Sequence, residues 1–304
     1  MVDISVSLSK LKLRNPTMLA SGIMGISGKL LLRVAKEGAG AVVTKSVGPE
    51  PKGGFENPCL VEVFKNSYLN AMGLPNPGVK SFVKELKIAK GGGVPVIASV
   101  FGGTSSEFGY VASEMEKAGA DAVELNVSCP HAEIATIGQS CELVSETVKE
   151  VKKAVKIPVF IKLNPNVTDI VEIAEEAEKV GADGITAINT VRAMAIDINT
   201  CKPVLSNKIG GLSGEALRPI AVRCVYEIYQ NVKIPIVAAG GIFHWSHAVE
   251  YILAGATAVQ IGTGVVNGLQ IFQEISAGIE KYLEEKGYQN IKEIVGIAHE
   301  EGGN

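Results

Sequence analysis

Cysteine and aromatic residues are scarce in this chain, and each shortage excludes a class of protein. The five cysteines are odd in number and show no C-x-x-C spacing, which argues against a disulfide framework or a compact zinc site. A reducing, cytoplasmic location is therefore expected. Aromatic residues make up 5% of the chain, which is few for a protein that stacks the bases of single-stranded nucleic acid.

Dense basic tracts and long apolar runs are also missing. The formal net charge is -3 and no Lys/Arg cluster stands out, so we expect no nucleic-acid partner. No apolar run approaches the roughly 18 residues of a membrane span, and the first residues do not resemble a secretory signal, so no membrane is expected either. Hydrophobic residues make up 46% of the 304 residues, which is enough for a well-filled core.

A cassette of glycine, small residues and an apolar strand recurs along the chain. In each copy, glycine ends an amphipathic helix where a left-handed backbone costs little, and an apolar run follows. The copies occupy residues 37–45, 118–126, 180–189 and 254–262. Further apolar runs occupy residues 16–21, 95–99, 158–162 and 235–239. Helices are predicted between them, for example at residues 105–117, 141–155 and 170–179. Buried strands that alternate with helices in this number predict one (β/α)8 barrel domain, an α/β fold, over residues 1–304.

Two connections are too long to be simple crossovers between strands. Residues 46–93 follow the second strand and residues 190–233 follow the sixth, and both are rich in Gly, Pro and Asn. Long loops in compact domains usually bind or cover a ligand. We therefore expect turn-rich covers over the carboxyl ends of the strands, where barrels hold their ligands.

Glycine turns follow the seventh and eighth strands, at Gly240-Gly241 and Gly262-Thr263. Barrels commonly bind phosphate at this place, because exposed backbone N–H groups and helix N-termini attract an anion. The alternative is that glycine only permits a tight turn, but two such turns in these positions favour phosphate. No P-loop is present, and the residues after Gly264 do not fit a dinucleotide fingerprint.

Two lysines, Lys45 and Lys162, end strands that are otherwise apolar. A lysine at a buried strand end needs a negative partner. That partner is either a carboxylate of the barrel such as Glu124 or a cofactor that becomes anionic during turnover.

Three asparagines, Asn70, Asn126 and Asn189, are expected near these lysines. A carboxamide both donates and accepts hydrogen bonds, so such residues can recognise a planar ligand with amide and carbonyl edges. One asparagine alone is more often a turn or cap residue, whereas three beside two lysines favour a ligand site.

Cys129 follows a buried strand, in the sequence Asn-Val-Ser-Cys-Pro at residues 126–130. Pro130 cannot continue a strand or the interior of a helix, so the chain must turn there. The thiol is either buried and inert, a nucleophile partnered by a histidine such as His131, or a proton acceptor beside a redox cofactor. The lysines and glycine turns favour the last of these. We interpret the remaining cysteines as packing residues: Cys59, Cys141, Cys201 and Cys224.

Several of these segments together resemble dihydroorotate dehydrogenase, almost from end to end. The resemblance is most specific in Asn-Ala-Met-Gly-Leu-Pro-Asn and Asn-Val-Ser-Cys-Pro. The similar segments are residues 15–22, 44–46, 70–76, 126–130, 239–242 and 260–263. Within the family the chain looks most like the class 1 catalytic subunit, and within that class 1B. Class 1 enzymes have a cysteine where class 2 enzymes have serine, and Cys129 matches class 1.

The resemblance implies an FMN cofactor at the barrel mouth and a binding site for dihydroorotate and orotate beside it. Residues implied to bind FMN are Ser21, Lys45, Ser46, Ser99, Asn126, Lys162, Ile188, Gly214, Gly240, Gly241, Gly262 and Thr263. Residues implied to bind the substrate are Lys45, Asn70, Ala71, Met72, Gly73, Leu74, Asn126, Asn189 and Thr190. Cys129 is implied to remove the C5 proton while the C6 hydride passes to FMN, and Lys162 to stabilise the reduced flavin.

The resemblance also implies partners. A homodimeric core is expected, which in class 1B can extend to a heterotetramer with a subunit that carries FAD and an iron–sulfur cluster and passes electrons to NAD. No metal is expected on this chain, which has no cysteine cluster for such a centre. The alternatives are a fumarate-using class 1A enzyme, another FMN-barrel dihydropyrimidine or dihydrouridine oxidoreductase, and a non-redox phosphate-binding aldolase or isomerase. Two positions depart from the family pattern: His131 replaces an asparagine, and Ser99 is often asparagine.

Overall fold

The computed structural model describes residues 2–127 and 137–300. Cys129 and His131, on which part of the mechanism above depends, lie outside the described residues.

Eight parallel strands close into a barrel, as predicted. Neighbouring strands in the ring follow the order of the sequence, and the last pairs with the first. The barrel strands are β1 (Thr17–Leu19), β2 (Ala41–Val43), β3 (Val96–Val100), β4 (Ala122–Asn126), β5 (Val159–Lys162), β6 (Gly184–Ala187), β7 (Ile236–Ala239) and β8 (Ala258–Ile261). Nearly every residue of these strands is buried, which is why they read as continuous apolar runs rather than as alternating ones.

Within residues 2–127 and 137–300, eight α-helices accompany the strands. They are α1 (Gly28–Lys36), α2 (Val79–Ala89), α3 (Ser105–Lys117), α4 (Cys141–Ala154), α5 (Ile170–Lys179), α6 (Arg218–Asn231), α7 (Trp245–Leu253) and α8 (Ile271–Lys286). Side-chain caps set several starts: Thr104 accepts a hydrogen bond from the Glu107 amide before α3, and Asp169 accepts one from the Val171 amide before α5. The predicted bounds of α3 and α5 are confirmed, and α4 ends one residue earlier than predicted.

The recurring cassette uses the same contacts in two of its copies. Asp121 accepts hydrogen bonds from Lys90 Nζ at 2.6 Å and from the first amide of β3 at 2.7 Å. Asp183 accepts hydrogen bonds from Lys152 Nζ at 2.6 Å and from the first amide of β5 at 2.8 Å. These carboxylates tie each strand start to the neighbouring unit at the end of the barrel away from the strand ends discussed below.

The two long insertions pair with each other. Four antiparallel strands form one sheet, in the order Val191–Ala193, Gly210–Gly214, Ser67–Asn70 and Leu60–Phe64. The interpretation of these segments as turn-rich covers missed these strands, because their pairing partners lie far away in the sequence. The sheet brings residues of both insertions to the barrel end that the strands β2 and β6 lead into.

The remaining elements are short. Hairpins are formed by Val6–Leu8 with Leu11–Leu13 and by Ile196–Asp197 with Lys202–Pro203. The 3-10 helices are Lys90–Gly92, Ile137–Gln139, Glu215–Leu217, Thr263–Asn267, Ile291–Ile294 and Ile297–His299. Within residues 2–127 and 137–300, no helix combines the length and hydrophobicity needed to cross a bilayer.

Candidate active site

Three serine hydroxyls meet where β1, β2 and β3 end. Ser46 Oγ lies 3.2 Å from Ser21 Oγ and 2.9 Å from Ser99 Oγ. Ser46 and Ser99 are buried, so their hydroxyls depend on one another for hydrogen bonds. The structure thus brings together three residues that the resemblance assigned to one ligand.

Ser46 also fixes the orientation of a chain of carboxamides. Asn126 Nδ2 donates to Ser46 Oγ at 2.9 Å, which turns Asn126 Oδ1 toward Asn189 Nδ2 at 3.3 Å. Asn189 Oδ1 in turn accepts the backbone N–H of Thr190 at 2.8 Å. The ends of β4 and β6 therefore present two oriented carboxamides side by side, as expected for the recognition of a planar polar ligand.

Lys45 extends into the same region from the end of β2. Its side chain is buried, and Nζ lies 3.4 Å from the carbonyl oxygen of Gly22. Burial lowers the pKa of the Lys45 ammonium, because removal from water disfavours the charged form. An anionic ligand group beside Nζ would offset that cost, so Lys45 favours an anion at this position.

Lys162, at the end of β5, has a carboxylate partner inside the barrel. Its Nζ lies 3.9 Å from Glu124 Oε1 and 3.1 Å from Gln260 Oε1. Gln260 Nε2 and Thr186 Oγ1 both donate to Glu124 Oε2, at 2.5 and 2.9 Å. The sequence left two partners open for Lys162, a barrel carboxylate and an anionic cofactor, and the structure shows the carboxylate, Glu124. The Lys162 side chain lies at the barrel mouth, and Glu124 offsets its positive charge from inside the barrel.

The first insertion reaches the site through residues 70–76. Asn70 Nδ2 donates to the Gly211 carbonyl of the other insertion at 3.1 Å, and residues 71–74 follow as a turn in which Gly73 and Leu74 have positive φ. Asn76 is buried and accepts the backbone N–H groups of Gly48 and Gly78. These hydrogen bonds fold the Asn-Ala-Met-Gly-Leu-Pro-Asn segment back onto the loop after β2.

The glycine turn after β7 is a close approach of three backbone segments. Gly240 and Gly241 have φ of 140° and 65°. A Cβ on Gly241 would lie 2.7 Å from the carbonyl oxygen of Gly214, and Ile188 donates its amide N–H to Ala239 O at 3.0 Å. The turn after β8 differs: a Cβ on Gly262 would meet only Ala20 Cβ, at 3.5 Å. The 3-10 helix Thr263–Asn267 begins directly after it.

The sequence profile of the dihydroorotate dehydrogenase family matches residues 3–283. The chain belongs to the dihydroorotate dehydrogenase family. The predicted family and the predicted barrel are both confirmed.

Similar proteins within the family carry one name, dihydroorotate dehydrogenase B (NAD(+)), catalytic subunit. That of Methanosarcina acetivorans is 52% identical over 298 residues, which is 97% of this chain and 96% of the relative. That of Pyrococcus abyssi is 51% identical over 97% of this chain and 99% of the relative. That of Methanocaldococcus jannaschii is 49% identical over 98% of both chains. These names agree with the class 1B resemblance.

Sequence reasoning overlooked three polar residues around the candidate site: Gln260, Thr186 and Tyr251. Tyr251, in α7, donates its hydroxyl to the Gly240 carbonyl at 2.5 Å, and burial raises the pKa of its hydroxyl. A polar residue in a buried strand was a usable signal for Gln260 and Thr186, whereas nothing in the sequence near Tyr251 pointed to the turn.

The interpretation of the other cysteines as packing residues is wrong for one of them. Cys201 is exposed, whereas Cys224 is buried and Cys59 and Cys141 are partly buried. Cys201 lies in the hairpin of the second insertion, in a left-handed conformation, where local turn geometry rather than burial determines its position.

Proposed function

We propose that this chain is the catalytic subunit of an NAD-linked dihydroorotate dehydrogenase, which oxidises dihydroorotate to orotate in pyrimidine biosynthesis. The observation that carries the proposal is that a buried lysine and two oriented carboxamides, Lys45, Asn126 and Asn189, converge at one end of the barrel. The near full-length similarity to proteins of that name supports the reaction and the electron acceptor.

The cofactor of the proposal is FMN, and the glycine turns fit its phosphate. Close packing of Gly241 against Gly214 leaves no room for a side chain, and the backbone N–H groups of this turn are proposed to donate to the phosphate. The 3-10 helix after Gly262 adds amide N–H groups that have no acceptor within their own helix. Lys162 is proposed to lie against the ring system, where its ammonium stabilises added negative charge.

The substrate is proposed to bind beside the cofactor, between the carboxamides and the first insertion. Dihydroorotate carries a carboxylate and a ring with amide and carbonyl edges. Lys45 offers a cation for the carboxylate, and Asn70, Asn126 and Asn189 offer donors and acceptors for the ring. Residues 71–74 and Thr190 complete the proposed contacts.

Bound FMN would supply the hydride acceptor for C6 of dihydroorotate. Cys129 is proposed to take the C5 proton, a role that rests on its place in the sequence, three residues after Asn126, the last residue of β4. The oriented carboxamides hold the ring so that the proton and the hydride leave from fixed positions.

A second protein is needed for the transfer of electrons to NAD. The relatives are named catalytic subunits, and that name implies a further subunit. We propose a partner subunit with FAD and an iron–sulfur cluster, a homodimeric core of this chain, and a cytoplasmic location. The names of these relatives favour NAD over the fumarate of class 1A.

The test is an anaerobic visible spectrum of the purified chain before and after addition of dihydroorotate. We expect a yellow protein that bleaches, because substrate reduces the bound flavin. A yellow protein that does not bleach would point to a different flavin barrel, and a colourless protein that FMN cannot reconstitute would refute the proposal. Purification with co-expressed partner should add NAD reduction to the same assay.

The substitution Gly241→Ala should weaken FMN binding about tenfold or more, a loss of about 1.4 kcal/mol. The new methyl group would lie 2.7 Å from the backbone oxygen of Gly214, so the two turns must separate. Gly181→Ala is the matched control, because Gly181 also has positive φ, at 98°, but a Cβ there meets no atom within 4 Å. FMN dissociation constants from fluorescence titration of both apoproteins decide the point: equal affinities would mean that the close approach does not form the phosphate site.

A further inference from the structure

Glu124 is a carboxylate in the interior of the barrel that the proposed reaction does not use. Its side chain is 1% exposed, although isolated buried charges are strongly disfavoured. Oε2 accepts two hydrogen bonds, from Gln260 and Thr186. Within the described part of the chain, Oε1 has no hydrogen-bond partner, and its nearest charged neighbour is the Lys162 ammonium at 3.9 Å.

Gln260 connects the two charges through one carboxamide. Its oxygen accepts from Lys162 Nζ, and its nitrogen donates to Glu124. The carboxamide therefore cannot rotate without losing both contacts, which fixes the position of Lys162 relative to Glu124. Two donors on Glu124 Oε2 and a cation near Oε1 are the surroundings of an ionised carboxylate.

We propose that Glu124 is a positioning residue that acts through Lys162: it holds the ammonium at the barrel mouth and offsets its charge, which keeps the midpoint potential of the bound FMN low. The inference rests on the proposed function in one respect, that Lys162 faces the FMN ring. A cation near a flavin favours the reduced form, which is the more negative one, and a nearby carboxylate diminishes that effect. A low midpoint potential suits the transfer of electrons to an acceptor such as NAD.

The test is the midpoint potential of FMN in Glu124→Gln, measured by anaerobic reduction against a reference dye. The substitution removes the charge but no hydrogen bond, because a carboxamide oxygen can still accept from Gln260 and Thr186 while its NH2 group takes the place of Oε1, which has no hydrogen-bond partner in the described residues. We expect the ratio of reduced to oxidised flavin at a given potential to rise about tenfold, a positive shift of about 30 mV for two electrons.

Glu178→Gln is the matched control. Glu178 accepts the backbone N–H groups of Lys233 and Ile234 near the start of β7, at the other end of the barrel, so its loss should leave the midpoint potential unchanged. Should Glu124→Gln fail to yield folded protein, Glu124→Asp keeps the charge but withdraws it from Lys162, and a smaller positive shift is expected.

An unchanged or lower midpoint potential in Glu124→Gln, or in Glu124→Asp where that variant is used, would overturn the inference. The proposed function fails in a different way: the wild-type chain would then contain no flavin and could not be reconstituted with FMN. A flavin-containing wild type with an unshifted variant refutes the role of Glu124 alone.

Discussion

Cys129→Ser should slow the reduction of FMN by dihydroorotate by about 10²–10⁴-fold, the usual contribution of a positioned general base. A serine hydroxyl is a far weaker acid than a thiol, so much less of it is ionised at neutral pH. FMN should remain bound, since the base serves the C5 proton and not the cofactor. Stopped-flow measurement of flavin bleaching under anaerobic conditions gives the rate directly.

The pH dependence of the bleaching rate shows whether Cys129 acts as a base or only as a packing residue. An ordinary thiol has a pKa of about 8.5, so the wild-type bleaching rate should rise with pH through the neutral range. Cys201→Ser is the matched control, because it makes the same chemical change at an exposed cysteine and should leave the rate unchanged. A flat wild-type profile, or loss of FMN from Cys129→Ser, would show that the thiol has a structural role instead.

Lys162→Met should lower the free energy of unfolding by about 3–5 kcal/mol, because it leaves the buried carboxylate of Glu124 without its cation. Gln260 loses a hydrogen-bond donor at the same time. Chemical denaturation of the apoprotein measures the loss without interference from bound FMN. Lys179→Met is the control. Lys179 pairs with Glu176 at 2.8 Å on an exposed helix face, and solvent screening makes such a pair contribute little to the free energy of unfolding.

The double variant Lys162→Met with Glu124→Gln separates the contribution of Lys162 to the free energy of unfolding from its contribution to flavin reduction. Replacing both charges by neutral groups removes the unpaired carboxylate, so most of the lost stability should return. Flavin reduction by dihydroorotate should be slow both in Lys162→Met and in the double variant, because Lys162 no longer places a cation against the ring in either. If the double variant is no more stable than Lys162→Met, the two side chains are not energetically coupled and the 3.9 Å separation has no consequence for folding.

Local patterns were sufficient to predict most of the barrel. Helices α3 and α5 begin where Thr104 and Asp169 cap them, and they end at the glycines of the cassette. These signals act over a few residues, so they can be recognised in the sequence without knowledge of the fold. The four-stranded sheet was missed, because Ser67–Asn70 pairs with Gly210–Gly214, and neither short strand has a pattern that identifies a partner so distant in sequence.

The candidate site was predicted unevenly for the same reason. Residues at strand ends, such as Lys45 and Asn126, could be assigned to one site because parallel strands of a barrel end on the same side. Their hydrogen bonds could not be predicted, since the Ser46 hydroxyl could have faced many partners. Tyr251 was overlooked because its contact with the Gly240 carbonyl depends on how α7 packs against the turn.

By itself, the sequence determined the family, the eightfold alternation of strands and helices, and the kinds of side chain that stand at the strand ends. Only the tertiary structure decided that Lys162 pairs with Glu124 through Gln260, a residue 136 positions from Glu124. The physical reason is the closure of the eight strands into a barrel. The register of each strand, and the direction in which each side chain leaves it, determine which polar groups meet inside the barrel, and these depend on the whole chain at once.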